Sequence, residues 1–338
     1  MGSEKTADAA DRRVVAFAGP GAADRRVAGV AAAARVVRGF AEAGVAEVWL
    51  TVPGGGALAP ATAADIARLR GATIVHVTAP ADAPADLLAE PAPAMNAMAI
   101  LRATTKPSDG IVSRYLNRPI SQRISWAVLA IPGARPIHAT IASALFAAIL
   151  FWGMLAGGKT GLILGGVLFQ AASVIDGVDG EMARATWRAT DFGKTLDSVI
   201  DMATNLAFVL ALTIHLGRHG HPMVFWTGMW AVTLVSIGAG LIAWRVRSGG
   251  GPLTFDLLKP KAKPGPPGPV DMLLKVGTFI TSRDFFAFAF MVLIIAGLAW
   301  PALIVFTTVG TGWIVYVIGS LFAGRRAVHR EEGYRGAA

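Results

Sequence analysis

From Ile137 onward the chain alternates long apolar runs with short polar breaks, and no other feature narrows its fold as much. The runs fall near 137–156, 161–183, 193–216, 223–244, 285–300 and 301–322. About 20 helical residues at 1.5 Å each cross a hydrocarbon core of roughly 30 Å, so the pattern implies six spanning helices, the fifth of them short. Lys and Arg crowd the breaks before span 1, between spans 2 and 3, between spans 4 and 5, and after span 6. The opposite breaks hold only Lys159 and Arg218. Positive charge collects on the cytoplasmic side, so the expected protein is multi-pass in a prokaryotic inner membrane, with both termini in the cytoplasm. The formal charge of +9 then reports the sidedness of loops and requires no nucleic acid. A mean hydropathy of +0.54 excludes disorder, and the absence of cysteine excludes disulfides, thiol catalysis and thiolate metal sites.

Charged residues make up 16% of the chain, against roughly 25% in a soluble domain, and the shortage is uneven. Of eleven carboxylates from residue 137 on, six lie within 26 residues: Asp176, Asp179, Glu181, Asp191, Asp197 and Asp201. Asp176 and Asp179 are i, i+3 at the end of span 2, and Asp197 and Asp201 are i, i+4 at the start of span 3. Each pair therefore shares a helix face, and a short antiparallel turn brings the faces together. Four intramembrane carboxylates cost on the order of 10–14 kcal/mol on insertion scales. A divalent cation offsets that cost, and hard oxygen donors select Mg²⁺, Mn²⁺ or Ca²⁺. Neighbouring Arg184, Arg188 and Lys194 account for one or two of the four. Gly180, Ala183 and Gly193 leave space above such an ion, and the Arg184 fork suits a diphosphate. Metal-held diphosphate beside a carboxylate that accepts a proton describes displacement at phosphorus.

Ahead of the spans, strand-like runs near residues 14–18, 48–52 and 73–77 alternate with helical stretches near 26–43 and 61–70, which predicts a small parallel α/β unit. Gly19-Pro20-Gly21 closes the first strand without G-x-G-x-x-G or a Walker lysine, so it reads as a turn. The N-terminal residues carry mixed charge and no apolar run of signal-peptide length, so secretion is not expected. Residues 79–98, rich in Ala and Pro, read as a linker. Tyr115, Leu116, Ile120, Ile124, Val128 and Leu129 recur at helical spacing among Arg114, Arg118 and Arg123, as in a helix lying on an anionic membrane face. The expected layout is 1–98 α/β cytoplasmic domain plus linker, 99–136 amphipathic juxtamembrane helix, 137–323 membrane domain, and 324–338 cytoplasmic tail. Six prolines between Pro252 and Pro269 predict a stiff connector after span 4.

The acidic window reads D-x2-D-G-x2-A-R-x8-G-x3-D-x3-D at every specified position, and in this it resembles the CDP-alcohol phosphotransferases. The resemblance implies a six-helix membrane fold and two divalent ions, Mg²⁺ or Mn²⁺. It implies that Asp176, Asp179 and Asp197 bind metal, and that Asp201 completes the metal site and acts as general base. Asp179, Gly180, Ala183, Arg184 and Gly193 would hold the CDP moiety, and homodimers are common in the family. The implied reaction is attack of an acceptor hydroxyl on a CDP-alcohol, such as CDP-diacylglycerol or a CDP-inositol-like donor, with CMP leaving, in phospholipid or phosphodiester biosynthesis. KPSDGIVSRYLNRPIS at 106–121 resembles the junction in members that fuse a cytidylyltransferase-like domain to the membrane domain, the di-myo-inositol-phosphate-phosphate synthase type. The α/β unit here lacks that domain's glycine- and arginine-rich nucleotide loop and its lysine, so it is expected to be a degenerate, non-catalytic nucleotidyltransferase-like domain.

Arg245, Arg247 and Arg283 sit where an acceptor phosphate would be clamped and equally where topology anchors belong; Arg283-Asp284 at the mouth of span 5 is the preferred clamp. His138, His215 and His221 are isolated and read as structural. Two rivals remain at this stage. A divalent cation transporter would use the same carboxylates but calls for acidic residues along a path through the bilayer, and a catalytically inactive membrane scaffold would bind nucleotide without turnover. Glycines between Gly161 and Gly166 permit close helix contact, including between copies.

Overall fold

The computed structural model describes residues 11–54, 57–107, 109–220, 222–249, 282–312 and 314–315. They form two compact units, neither continuous in sequence. One comprises the chain through Thr104 with Gln122–Arg135 and Glu181–Arg188, and the other Thr105–Ser121, Pro136–Gly180 and the chain from Ala189 on.

The first unit runs β1 (Arg12–Ala16), α1 (Pro20–Asp24), β2 (Arg26–Val27), β3 (Val30–Ala31), α2 (Ala32–Glu42), β4 (Glu47–Thr51), α3 (Pro60–Leu69), β5 (Ile74–Thr78), β6 (Ala89–Pro91) and α4 (Ala97–Ala103). Four strands make a parallel sheet in the order β5-β4-β1-β6. Val15, Val48 and Leu50 from the strands, with Val52 just past β4, pack with Val36 and Val37 of α2 and Ile66 and Leu69 of α3, which is how a parallel sheet buries its apolar strands.

Two local expectations are corrected. The helix expected from residue 26 starts at Ala32, because Ala28 (φ 45°) and Gly29 (φ 80°) form the tight turn of the β2–β3 hairpin, and successive positive φ angles suit that turn and forbid a helix. The Ala/Pro-rich stretch 79–98 is not wholly linker: Ala89–Pro91 is an edge strand paired with Val14–Ala16. An edge tolerates proline because one side of its backbone has no ladder to complete.

The stretch 99–136 is likewise not one helix. After α4 the chain turns, passes through a π-helical turn at Ser113–Asn117, and continues as α5 (Arg118–Leu129). Its buried face carries Ser113, Asn117, Ser121 and Ser125, whereas Ile111, Tyr115, Trp126 and Ile131 are exposed.

In the second unit, α6 (Pro136–Ala156), α7 (Gly158–Ala185), α8 (Asp191–His219) and α9 (Pro222–Gly249) contain the four segments long and apolar enough to cross a membrane. They coincide with the first four apolar runs of the sequence. The next helix, α10 (Arg283–Ile295), has 13 residues. It stops at Gly297 (φ 77°), where Gly297 N–H donates to Ile294 O and Leu298 N–H to Leu293 O at 2.7 Å, the glycine-closed end common in helices. The break therefore precedes the boundary expected at Trp300-Pro301. Pro301 falls instead in the first turn of α11 (Ala299–Gly312), where a missing N–H costs nothing. The proline-rich connector, most of the sixth apolar run beyond Gly312 and the 324–338 tail lie outside the described residues.

Stacked Phe169 and Phe208, 3.9 Å between centroids, and Phe290 at 5.1 Å from Phe208 tie α7, α8 and α10 together. Gly161 and Gly165 are used within the chain. A Cβ on Gly161 would lie 2.2 Å from Gly153 O, and one on Gly165 2.0 Å from Met154 Cγ.

Candidate active site

The carboxylates of Asp176 on α7 and of Asp197 and Asp201 on α8 offer oxygens within 4.8 Å of one another. The i, i+4 spacing on α8 aims Asp197 and Asp201 to one side, and α7 supplies the facing wall. Hard oxygens from two helices, converging at this distance, fit a divalent cation. Asp179, one turn on from Asp176, is buried, accepts a hydrogen bond from Thr140 Oγ1 of α6 at 2.6 Å, and approaches Asp197.

Arg283, the first residue of α10, reaches into this group. Its Nη1 lies 3.0 Å from Asp176 Oδ1 and donates to Asp201 Oδ1. Its Nε and Nη2 are buried and have no hydrogen-bond partner among the described residues. Buried guanidinium N–H groups left open cost stability, so this side chain retains capacity for an anion. Asp284, next in sequence, accepts from Ser173 Oγ at 2.6 Å and from Asn117 Nδ2 at 3.0 Å. Asn117 Oδ1 in turn accepts from Gln170 Nε2 at 2.7 Å.

Small residues in and around the motif have local reasons. A Cβ on Gly177 would lie 3.0 Å from Arg118 Nη1, and that guanidinium donates to Gly177 O and is held by Asp109 at 2.8 Å. Gly193 N–H donates to Thr190 Oγ1 at 3.0 Å, the cap that starts α8. Gly180 follows Asp179 on α7, half-buried.

Ala183 and Arg184 lie on the last turns of α7, in the first unit. Arg184 Nε donates to Thr104 O at 3.0 Å. Around it, Glu181 accepts from Ser125 Oγ at 2.7 Å, Arg35 Nη2 donates to Ala185 O at 2.8 Å, and Arg68 Nη1 donates to Thr186 O at 3.1 Å. Cations on the last carbonyls of a helix complement its dipole.

The structure thus brings Asp176, Asp197, Asp201 and Arg283 together and places Asp179 beside them. Arg245 falls on α9, and its side chain lies outside the described residues, as do Arg247's side chain and His221. His215 Nδ1 contacts Met154 O at 2.9 Å, a structural role. Sequence reasoning missed Thr140, Ser173 and Asn117. Its signal was the spacing of small polar residues at 113, 117, 121 and 125, one helical face, which the apolar positions of the same segment overshadowed.

Comparison with known proteins agrees with this geometry. A chain described as "Bifunctional IPC transferase and DIPP synthase" from Aquifex aeolicus is 41% identical over 109 residues, covering 32% of this chain and 24% of the relative. Proteins with the same description from Thermococcus kodakarensis and Archaeoglobus fulgidus are 36% and 35% identical over 115 and 117 residues, each covering 34% of this chain and 25% and 23% of the relatives. The matched stretch is thus about a quarter of the length of these relatives. The family described as CDP-alcohol phosphatidyltransferase matches residues 135–313, just over half of the chain and the part that holds the carboxylates and Arg283. With its motif complete and its carboxylates converging as that motif requires, the chain belongs to the CDP-alcohol phosphatidyltransferase family, the CDP-alcohol phosphotransferases.

Proposed function

We propose that the protein moves a substituted phosphate group from a CDP-alcohol to an acceptor hydroxyl and releases CMP, in phospholipid or phosphodiester biosynthesis. The observation that carries this reading is the convergence of Asp176, Asp197 and Asp201 on two apolar helices with a guanidinium that keeps open N–H groups. Asp176, Asp179, Asp197 and Asp201 would hold Mg²⁺ or Mn²⁺, two ions in the full site. Divalent metal supplies charge neutralisation on the diphosphate as the bond to CMP breaks. Asp201 takes the proton of the acceptor hydroxyl, and Gly180, Ala183, Arg184 and Gly193 hold the CDP moiety. Arg283 binds the acceptor's phosphate through Nε and Nη2, a bidentate match for phosphate. CDP-diacylglycerol and a CDP-inositol-like compound are the donors to test first.

In this reading the residues from 137 to 323 form the six-helix membrane domain, the first 98 residues serve a non-catalytic role, and residues 99–136 rest on the cytoplasmic face of a prokaryotic inner membrane. The exposed Ile111, Tyr115, Trp126 and Ile131 support that placement. Purified protein given a panel of CDP-alcohols and alcohol acceptors releases CMP in a metal-dependent manner, and Asp201→Asn lowers that rate by roughly 10²–10⁴-fold. Absence of metal-dependent CMP from every donor, or full turnover by Asp201→Asn, rejects the assignment.

A further inference from the structure

Ser173 and Asp176 are i, i+3 on α7, so they share a face one turn apart. Arg283 and Asp284 are adjacent at the first turn of α10. The two adjacent residues therefore dock at the two positions one turn apart: Asp284 against Ser173, and Arg283 against Asp176. Asn117 fastens the arrangement from a third element, donating to Asp284 at 3.0 Å while Gln170 holds its own carbonyl oxygen. It does so from a π-helical turn, a geometry that often marks functional positions. Arg283 Nη1 in turn contacts carboxylates of both α7 and α8, two of the three that converge as a candidate metal group.

We propose that Asp284, anchored by Asn117 and Ser173, is a positioning residue that seats Arg283 between Asp176 and Asp201, where the guanidinium is the carboxylates' own counter-ion and competes with a divalent cation for them. Converging carboxylates that stay ionised in an apolar setting need a positive charge beside them, and Arg283 supplies it when no dication is bound. Displaced from the carboxylates, the same guanidinium has all its N–H groups available to phosphate. This rests on the metal-site reading given above.

The test is Mn²⁺ binding to the detergent-purified full chain, read from the electron paramagnetic resonance of free Mn²⁺, with no substrate present. Arg283→Gln tightens Mn²⁺ about tenfold, the order expected for removing a unit positive charge close to a dication in a partly screened site, and Arg283→Lys stays near the wild-type value. Asn117→Ala tightens Mn²⁺ about threefold, less than Arg283→Gln because Ser173 still holds Asp284, and adds nothing in the Arg283→Gln background. That non-additivity separates positioning through Arg283 from a general loosening of the helices. Unchanged or weaker Mn²⁺ binding by Arg283→Gln, or an Asn117→Ala effect that persists at full size in that background, overturns the proposal while leaving the metal site intact. Failure of wild type and Arg283→Gln alike to bind Mn²⁺ overturns the metal-site reading and this inference with it. Should Arg283→Gln not fold, Asp284→Asn carries the same expectation of tighter Mn²⁺, and no change in that variant also overturns the proposal.

Discussion

Arg35 in the first unit and Arg283 in the second are both guanidiniums withdrawn from water, and they are finished differently. Arg35 donates Nε to Val27 O at 2.7 Å and Nη2 to Ala28 O and Ala185 O at 2.9 and 2.8 Å, and its face lies 5.1 Å from the Trp187 ring. Burial lowers its pKa to about 10, against the pull of Asp65, so the charge is held there by neutral carbonyls at a net desolvation cost. Arg283 uses Nη1 on two carboxylates and, among the described residues, leaves Nε and Nη2 open. A saturated guanidinium joins backbone segments into one rigid unit, and an unsaturated one is poised for a ligand. The same contrast runs through the carboxylates. Glu181 in the first unit is fully buried and accepts from Ser125, whereas Asp176, Asp197 and Asp201 face one another.

The largest effect should come from exchanging the fates of these two arginines. Arg283→Ala is expected to lower metal-dependent CMP release by roughly 10²-fold, the consequence of losing a bidentate clamp that positions the acceptor, while thermal unfolding in excess Mn²⁺ stays close to wild type. Arg35→Ala is expected to lower stability by about 3–5 kcal/mol, because three carbonyls lose their donor at once, with turnover per folded molecule retained. Activity assays and thermal melts of the two variants side by side decide it, and a stability loss in Arg283→Ala as large as that in Arg35→Ala breaks the comparison.

A subtler exchange keeps the charge and removes the fork. Lysine at position 35 places one ammonium where a planar guanidinium served two chain segments. Arg35→Lys should cost about 1–3 kcal/mol, less than the truncation, and a melt indistinguishable from wild type shows that charge alone suffices there. Ser125→Ala leaves the Glu181 carboxylate short of one donor and should cost about 1.5–3 kcal/mol, read as a lower melting temperature without a change in Mn²⁺ affinity. A shift in Mn²⁺ affinity instead shows that Glu181 feels the metal site and that the contrast between the two sets of carboxylates is not sharp.

What the sequence made legible follows from how far each signal is local. The four long helices are present because an apolar run of membrane length has one way to satisfy its backbone. The carboxylate cluster was legible because i, i+3 and i, i+4 spacing fixes a face without knowledge of the partner. Strand β6 was hidden because Ala89-Glu90-Pro91 has no strand propensity of its own; its structure comes from the β1 edge. The Asn117–Ser173–Asp284 clamp was hidden for a related reason. Its members lie 56, 111 and 167 residues apart, and a small polar residue in an amphipathic helix reads as solvent-facing until its partner is known.

The smallest and most discriminating change concerns the platform under Arg35. Trp187 ends α7 with φ at 51°, and Arg188 N–H returns to Ala183 O at 2.9 Å, the helix-end geometry in which glycine is the usual residue. Left-handed backbone costs a side-chain-bearing residue about 1–2 kcal/mol, so relief of strain favours Trp187→Gly. Against it stand a more flexible unfolded chain, about 0.4–1 kcal/mol, and the loss of the ring that faces Arg35 at 5.1 Å and Arg38 at 6.0 Å, about 0.5–2 kcal/mol. The ring also packs on the sheet's core, which adds the cost of lost apolar contact. The balance predicts that Trp187→Gly destabilises by about 1 kcal/mol despite curing the backbone strain, and that the loss shrinks when Arg35 is already alanine. Denaturant titration of the single and double variants measures both quantities. A glycine variant more stable than wild type would mean that the carbonyls alone hold Arg35 and that the tryptophan contributes only strain to the end of the helix that carries Arg184.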